Sequence, residues 1–85
     1  MTEQEILKKF EEMGYEVSFS YNKKHIVLLK ETNDKYNGNY LKMININSIT
    51  KKYSCYIDES YSFDDITLQE HQLLTELFKC YKWIE

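Results

Sequence analysis

Ile66-Thr67-Leu68-Gln69-Glu70-His71-Gln72-Leu73-Leu74-Thr75-Glu76-Leu77-Phe78-Lys79-Cys80-Tyr81-Lys82-Trp83-Ile84 is the stretch that decides the fold. Thr67 with Glu70 three residues on is the pattern of a capping box, in which each side chain satisfies a backbone N–H at a helix start. Leu73, Leu74, Leu77, Phe78, Tyr81 and Ile84 then recur at the spacing of one helical face. The sequence thus predicts a helix with a defined first residue and an apolar stripe that another layer must cover.

The same signals stand at the other end of the chain. Thr2 and Glu5 form a second capping-box pattern, and Ile6, Leu7, Phe10 and Met13 continue at helical spacing. Gly14 supplies a residue able to turn left-handed, and Tyr15 after it is placed to fold back on Phe10, as in a Schellman stop. A helix over Glu3 to about Met13 follows.

Between the helices the period changes to two. Val17, Phe19 and Tyr21 alternate with Glu16, Ser18 and Ser20, the pattern of a half-buried strand. After Asn22-Lys23-Lys24, His25 to Lys30 reads as a second strand whose unbroken apolar run suits a central position. Glu31 to Asn39 reads as a polar loop ending in Asn37-Gly38, a strong hairpin signal. Tyr40 to Ile46 and Tyr53 to Ile57 are the third and fourth strands. Asp58 to Asp65 reads as a polar crossing to the last helix, with Tyr61 and Phe63 as anchors. Leu73, Leu74, Leu77 and Phe78 are expected against Ile6, Leu7, Phe10, Val17 and Phe19.

Short connections favour an antiparallel meander, and two helices with one stripe each are most simply covered on a single sheet face. The expected fold is therefore α+β: a two-layer α-β-β-β-β-α domain over residues 1–85, with both terminal helices on one side. The other sheet face is expected to be wet, carrying Lys, Ser, Asn and some Tyr.

Composition narrows the function classes. The chain has 85 residues, so it forms one small domain that hides roughly 60–65% of its unfolded surface. Eight Tyr, four Phe and one Trp supply the bulk that a small core needs. Ala, Arg and Pro are absent, while Lys, Asn, Ile and Tyr abound, a pattern of an AT-rich genome. Without Arg there is no guanidinium fork for bidentate phosphate or carboxylate recognition. The net charge of −3 favours neither nucleic acid nor an anionic membrane. The acidic N-terminus has no signal-peptide run, and no apolar stretch approaches the ~20 residues of a membrane span. The expected location is cytoplasmic, with Cys55 and Cys80 as reduced free thiols and no membrane association.

Chemistry-bearing residues are few. His25, Cys55, His71 and Cys80 lack the closely spaced ligand pairs of structural zinc, so no metal is expected. Glu11-Glu12, Asp58-Glu59 and Asp64-Asp65 are adjacent carboxylates on helix ends or loops, which diverge into solvent instead of converging for acid–base work. No nucleophile elbow or phosphate-cradling glycine loop accompanies them. The sequence reads as that of a non-enzyme without cofactors.

Two binding readings remain. Exposed tyrosines, with Tyr36, Tyr40, Tyr56 and Tyr61 as candidates, suit a protein interface because they give large contact area with few rotamers to freeze. Glu31, Asp34, Asp58 and Glu59 gather at one end of the expected sheet, an acidic patch suited to a basic surface. The alternative is weak nucleic-acid binding by Lys23, Lys24, Lys51 and Lys52, which a meander brings to one end beside Tyr21 and Tyr53.

The run Ile66 to Leu74 and the closing Trp83-Ile84 are similar to the C-terminal ends of small uncharacterised proteins encoded by phages and prophages of low-GC Gram-positive bacteria. Glu5-Ile6-Leu7-Lys8-Lys9-Phe10-Glu11-Glu12-Met13-Gly14-Tyr15-Glu16-Val17 resembles their openings. The resemblance implies a protein at work in the host cytoplasm, binding a host protein as an inhibitor or regulator of anti-defence type. It carries over no catalytic residues.

Overall fold

Two reciprocal caps define the helices. In the computed structural model, which describes residues 1–20, 25–34, 38–57, 62–63 and 65–84, helix α1 spans Glu3–Glu12 and helix α2 spans Leu68–Cys80. The Thr2 hydroxyl accepts from Glu5 N and the Thr67 hydroxyl from Glu70 N, while Glu5 and Glu70 reach back to the cap N–H groups. Both boxes are complete, as the sequence predicts.

Both helices also stop by the same device. Tyr15 N donates to Phe10 O and Gly14 N to Glu11 O, with Gly14 at φ 101°. At the end of α2, Trp83 N donates to Phe78 O and Lys82 N to Lys79 O. These are Schellman stops, each sealed by an aromatic contact: Phe10 against Tyr15 at 5.6 Å and Phe78 against Trp83 at 4.9 Å between ring centroids. The second stop uses a lysine where glycine is favoured, with Lys82 at φ 61°. The stop takes Ile84 out of the stripe to which its spacing assigned it, leaving it 44% exposed.

Strands β1 (Glu16–Phe19), β2 (His25–Asp34), β3 (Gly38–Asn47), β4 (Lys52–Ile57) and β5 (Ser62–Phe63) pair in that order, each antiparallel to the next. The meander is the expected one, but it is longer. β2 continues through Glu31–Asp34 to pair Asp34 with Gly38, a stretch expected to be loop. Backbone pairing and a cross-strand bond from Asn33 Nδ2 to Asn39 Oδ1 of 2.7 Å hold it, with no apolar alternation to announce it. The crossing after β4 likewise adds β5, where Phe63 pairs with Tyr56.

Both helices lie on one sheet face. Ile26, Ile46 and Tyr53 form one cross-strand row under them, and Leu28, Ile44 and Cys55 the next. Ile6, Leu7, Phe10, Leu73, Leu74, Leu77 and Phe78 close over these rows, with Val17 and Tyr53 at the margin. Phe19 departs from expectation. It shares the inward phase of Val17, but β1 is an edge strand and ends there, leaving Phe19 46% exposed.

The two stops give a paired stability test. Gly14→Ala places a Cβ at a φ that L-residues rarely adopt and should cost about 1–2 kcal/mol. Lys82→Gly relieves the same kind of strain and should add about 0.5–1 kcal/mol. Urea melts of the two variants check both signs.

Candidate functional site

The sheet has one covered and one open face, and each carries a feature that sequence alone did not assign. On the covered face, the row beyond Leu28 and Ile44 pairs Lys30 with Lys42. Lysines were expected on the wet face, yet Lys42, in phase with the core, is only 8% exposed. Its Nζ donates to Glu70 Oε1 at 2.9 Å. Glu70, 2% exposed, also accepts from the Tyr15 hydroxyl and from Thr67 N at 2.9 Å. Lys30 lies over the Tyr15 ring, 5.4 Å from its centroid.

Burial alone would raise the Glu70 pKa. The hydrogen bonds from Tyr15, Thr67 N–H and Lys42, with the Lys42 charge, outweigh it and hold the carboxyl below its ordinary value. The cluster is satisfied and enclosed. Its chemical work is architectural, tying the start of α2 to β3 and to the stop of α1.

The open face is different. β-strand alternation puts Glu16, Leu29, Met43 and Tyr56 in one cross-strand row, and Ser18, Val27, Asn45 and Ser54 in the next. Glu31 pairs with Leu41, which is 37% exposed. Among the described residues no helix covers Val27, Leu29, Leu41, Met43 or Tyr56, and none of these five belongs to the core cluster. The face is thus less polar than the sequence led us to expect. Asn45 Oδ1 and His25 Nδ1 are shielded there and meet no hydrogen-bond partner among the described residues. At its acidic margin a groove of about 420 Å³ is lined by Glu11, Gly14, Tyr15, Glu16, Leu29, Glu31 and Leu41.

The tyrosines singled out from sequence do not share one patch. Tyr56 lies on the open face, whereas Tyr40, paired with Thr32, is in phase with Lys42 and Ile44 on the opposite face. Tyr36 and Tyr61 lie outside the described residues. Of the lysines, Lys51 and Lys52 are exposed at the β3–β4 turn, where Asn47 Oδ1 accepts from Ile49 N and Thr50 N. Lys23, Lys24 and Tyr21 lie outside the described residues. Tyr53 turns inward, its ring edge-on to Phe78 at 6.0 Å and its hydroxyl 3.4 Å from His71 Nδ1, so it is not a free stacking platform. Of the acidic patch, Glu31 is exposed; Asp58, Glu59 and the Asp34 side chain lie outside the described atoms.

Cys55 is buried in the core and Cys80 donates to Met1 O at 2.9 Å; neither forms a disulfide among the described residues. Among the described residues no three His, Cys, Asp or Glu side chains converge as metal ligands, and no helix is long and apolar enough to cross a membrane. Comparison with protein-family models, with curated proteins and with solved structures finds no match for this chain.

The buried cluster predicts a defined pH response. Because the folded-state pKa of Glu70 lies below its unfolded value near 4.5, its stabilisation is complete above that value. It fades as pH falls through the lower, folded pKa. Glu70→Gln leaves Lys42 as an uncompensated buried charge and should cost roughly 3–5 kcal/mol at pH 7. The gap between the two proteins should start to narrow as pH falls below the unfolded value near 4.5 and close as it falls through the lower folded pKa, in paired urea melts.

Proposed function

We propose that this is a protein-binding domain, and that the open sheet face is where its partner docks. The observation that carries the reading is the apolar row Leu29–Met43–Tyr56, continued by Val27 and Leu41 and bordered by Glu16 and Glu31. An apolar centre with a charged rim is the anatomy of a protein interface. Tyr56 sits within that centre, as interface anchors commonly do. The carboxylate rim favours a partner that surrounds its apolar contacts with lysine or arginine. From the resemblance to phage and prophage proteins, the partner is a host protein in the bacterial cytoplasm, and the domain acts as an inhibitor or regulator of a host enzyme or defence complex.

Affinity capture from a low-GC Gram-positive lysate tests the reading, provided variants are run beside the wild type. Tyr56→Ala should weaken binding of the captured protein by roughly thirtyfold, the scale of a hot-spot residue. Met43→Lys should abolish it, with both variants still folded by circular dichroism. Replacing Lys23, Lys24, Lys51 and Lys52 by Gln should leave binding intact. If instead the open-face variants bind normally and the lysine variant loses binding to nucleic acid, the interface is the lysine end. In that case log affinity for duplex DNA would fall against log salt with a slope of at most about 3–4.

A further inference from the structure

A second recess opens on the helix side of the sheet, away from the open face. It encloses about 280 Å³ where the start of α1 meets the end of α2, and Glu3, Phe19, Ile26, Ser48, Tyr81 and Trp83 line it. Three of the six are aromatic. Trp83 is held there by the Schellman stop, with its ring 4.9 Å from Phe78 and 4.8 Å from Tyr81 between centroids. Phe19 is the residue the edge strand leaves 46% exposed, and buried Ile26 forms part of the apolar lining.

One carboxylate belongs to this recess. Glu3 lies beside the Tyr81 phenol, and burial, with the nearby Glu3 charge, pushes that phenol well above the ordinary tyrosine range. The C-terminal end of α2 adds the negative pole of its backbone dipole, while Glu3, in the first turn of α1, offsets the positive pole there.

We propose that this recess is a receptor for an organic ammonium head, a quaternary or methylated amine. Aromatic rings attract a cation through their quadrupoles, and they do so best when it is weakly hydrated. A methylated ammonium satisfies both walls at once, offering methyl groups to Phe19, Ile26, Tyr81 and Trp83 and its charge to Glu3. The volume sits just below the roughly 300–1,000 Å³ of pockets that take whole drug-sized ligands, so it suits a head group. The head can belong to a free small molecule or to a methylated lysine side chain, and the two sources are separable by experiment.

Trp83 is the chain's one tryptophan, so its fluorescence reports on this recess. Choline chloride, titrated against sodium chloride at matched ionic strength, should give a saturable change with a Kd in the millimolar range or below. The uncharged tert-butyl isostere 3,3-dimethylbutan-1-ol should bind at least about tenfold more weakly, the share that charge contributes to a desolvated cation–π contact. Phe19→Leu, at an exposed ring, should weaken choline binding severalfold with the melting temperature unchanged. Glu3→Gln should weaken choline but not the isostere. A trimethyl-lysine dipeptide amide that binds tenfold tighter than choline would assign the site to a protein side chain; equal binding would assign it to a small molecule. No saturable response to either cation, or equal affinity for choline and its isostere, overturns the proposal.

Discussion

The carboxylate of Glu70 is the interaction on which the architecture turns. It closes the capping box that starts α2, accepts the Lys42 ammonium from the middle of the sheet, and accepts the hydroxyl of Tyr15, the residue that seals the stop of α1. Three elements remote in sequence thus meet at one side chain. Apolar contacts between α2 and the sheet tolerate small shifts, since burial energy depends weakly on direction. A charge that must find three donors does not. A buried pair of this kind adds little net stability over an apolar substitute, so its value here is the orientation of α2 over the sheet.

Fixing both helices to one face also determines what the other face becomes. Among the described residues, the layer that α1 and α2 form has no counterpart on the far side. The row Leu29–Met43–Tyr56 nevertheless carries the apolar character of a covered surface. Antiparallel sheets need no such residues on a face meant only for water. The covered face supplies shape, and the uncovered one carries the residues on which the proposed interface rests.

How much of this was legible follows from how local each signal is. Thr67 with Glu70, and Gly14 with Tyr15, encode helix boundaries within a few residues, and they read correctly. Helix end two was misjudged at Ile84 because a lysine, Lys82, occupies the left-handed position where glycine would have marked the stop. The extra length of β2 was hidden because pairs such as Asn33–Asn39 use polar atoms and backbone, not alternation. The Lys42–Glu70 pair left a faint mark. Lys42 is in phase with Ile44 and Ile46, and Glu70 with Leu73, Leu74 and Leu77, so opposite charges occupy apolar phases of two separate elements. The open-face row was harder still, since Leu29 and Met43 become neighbours only through the register between β2 and β3. A list of exposed tyrosines cannot show that Tyr40 and Tyr56 point to opposite faces.

The meander has a kinetic consequence. Every strand pairs with its neighbour in the chain, so each hairpin closes a short loop, and the entropy cost of closing a loop grows with its length. The helices stand at opposite ends and meet across the whole sheet sequence. The expected order of assembly has the hairpins forming early and the two helices docking on them last, when the Lys42–Glu70 pair closes. Energetic ratios of rate to stability near zero for substitutions at Glu70 would mark that late event, and values near one would reverse the order. The same carboxylate that fixes the geometry of the finished domain would then be the latch that shuts at the end of folding.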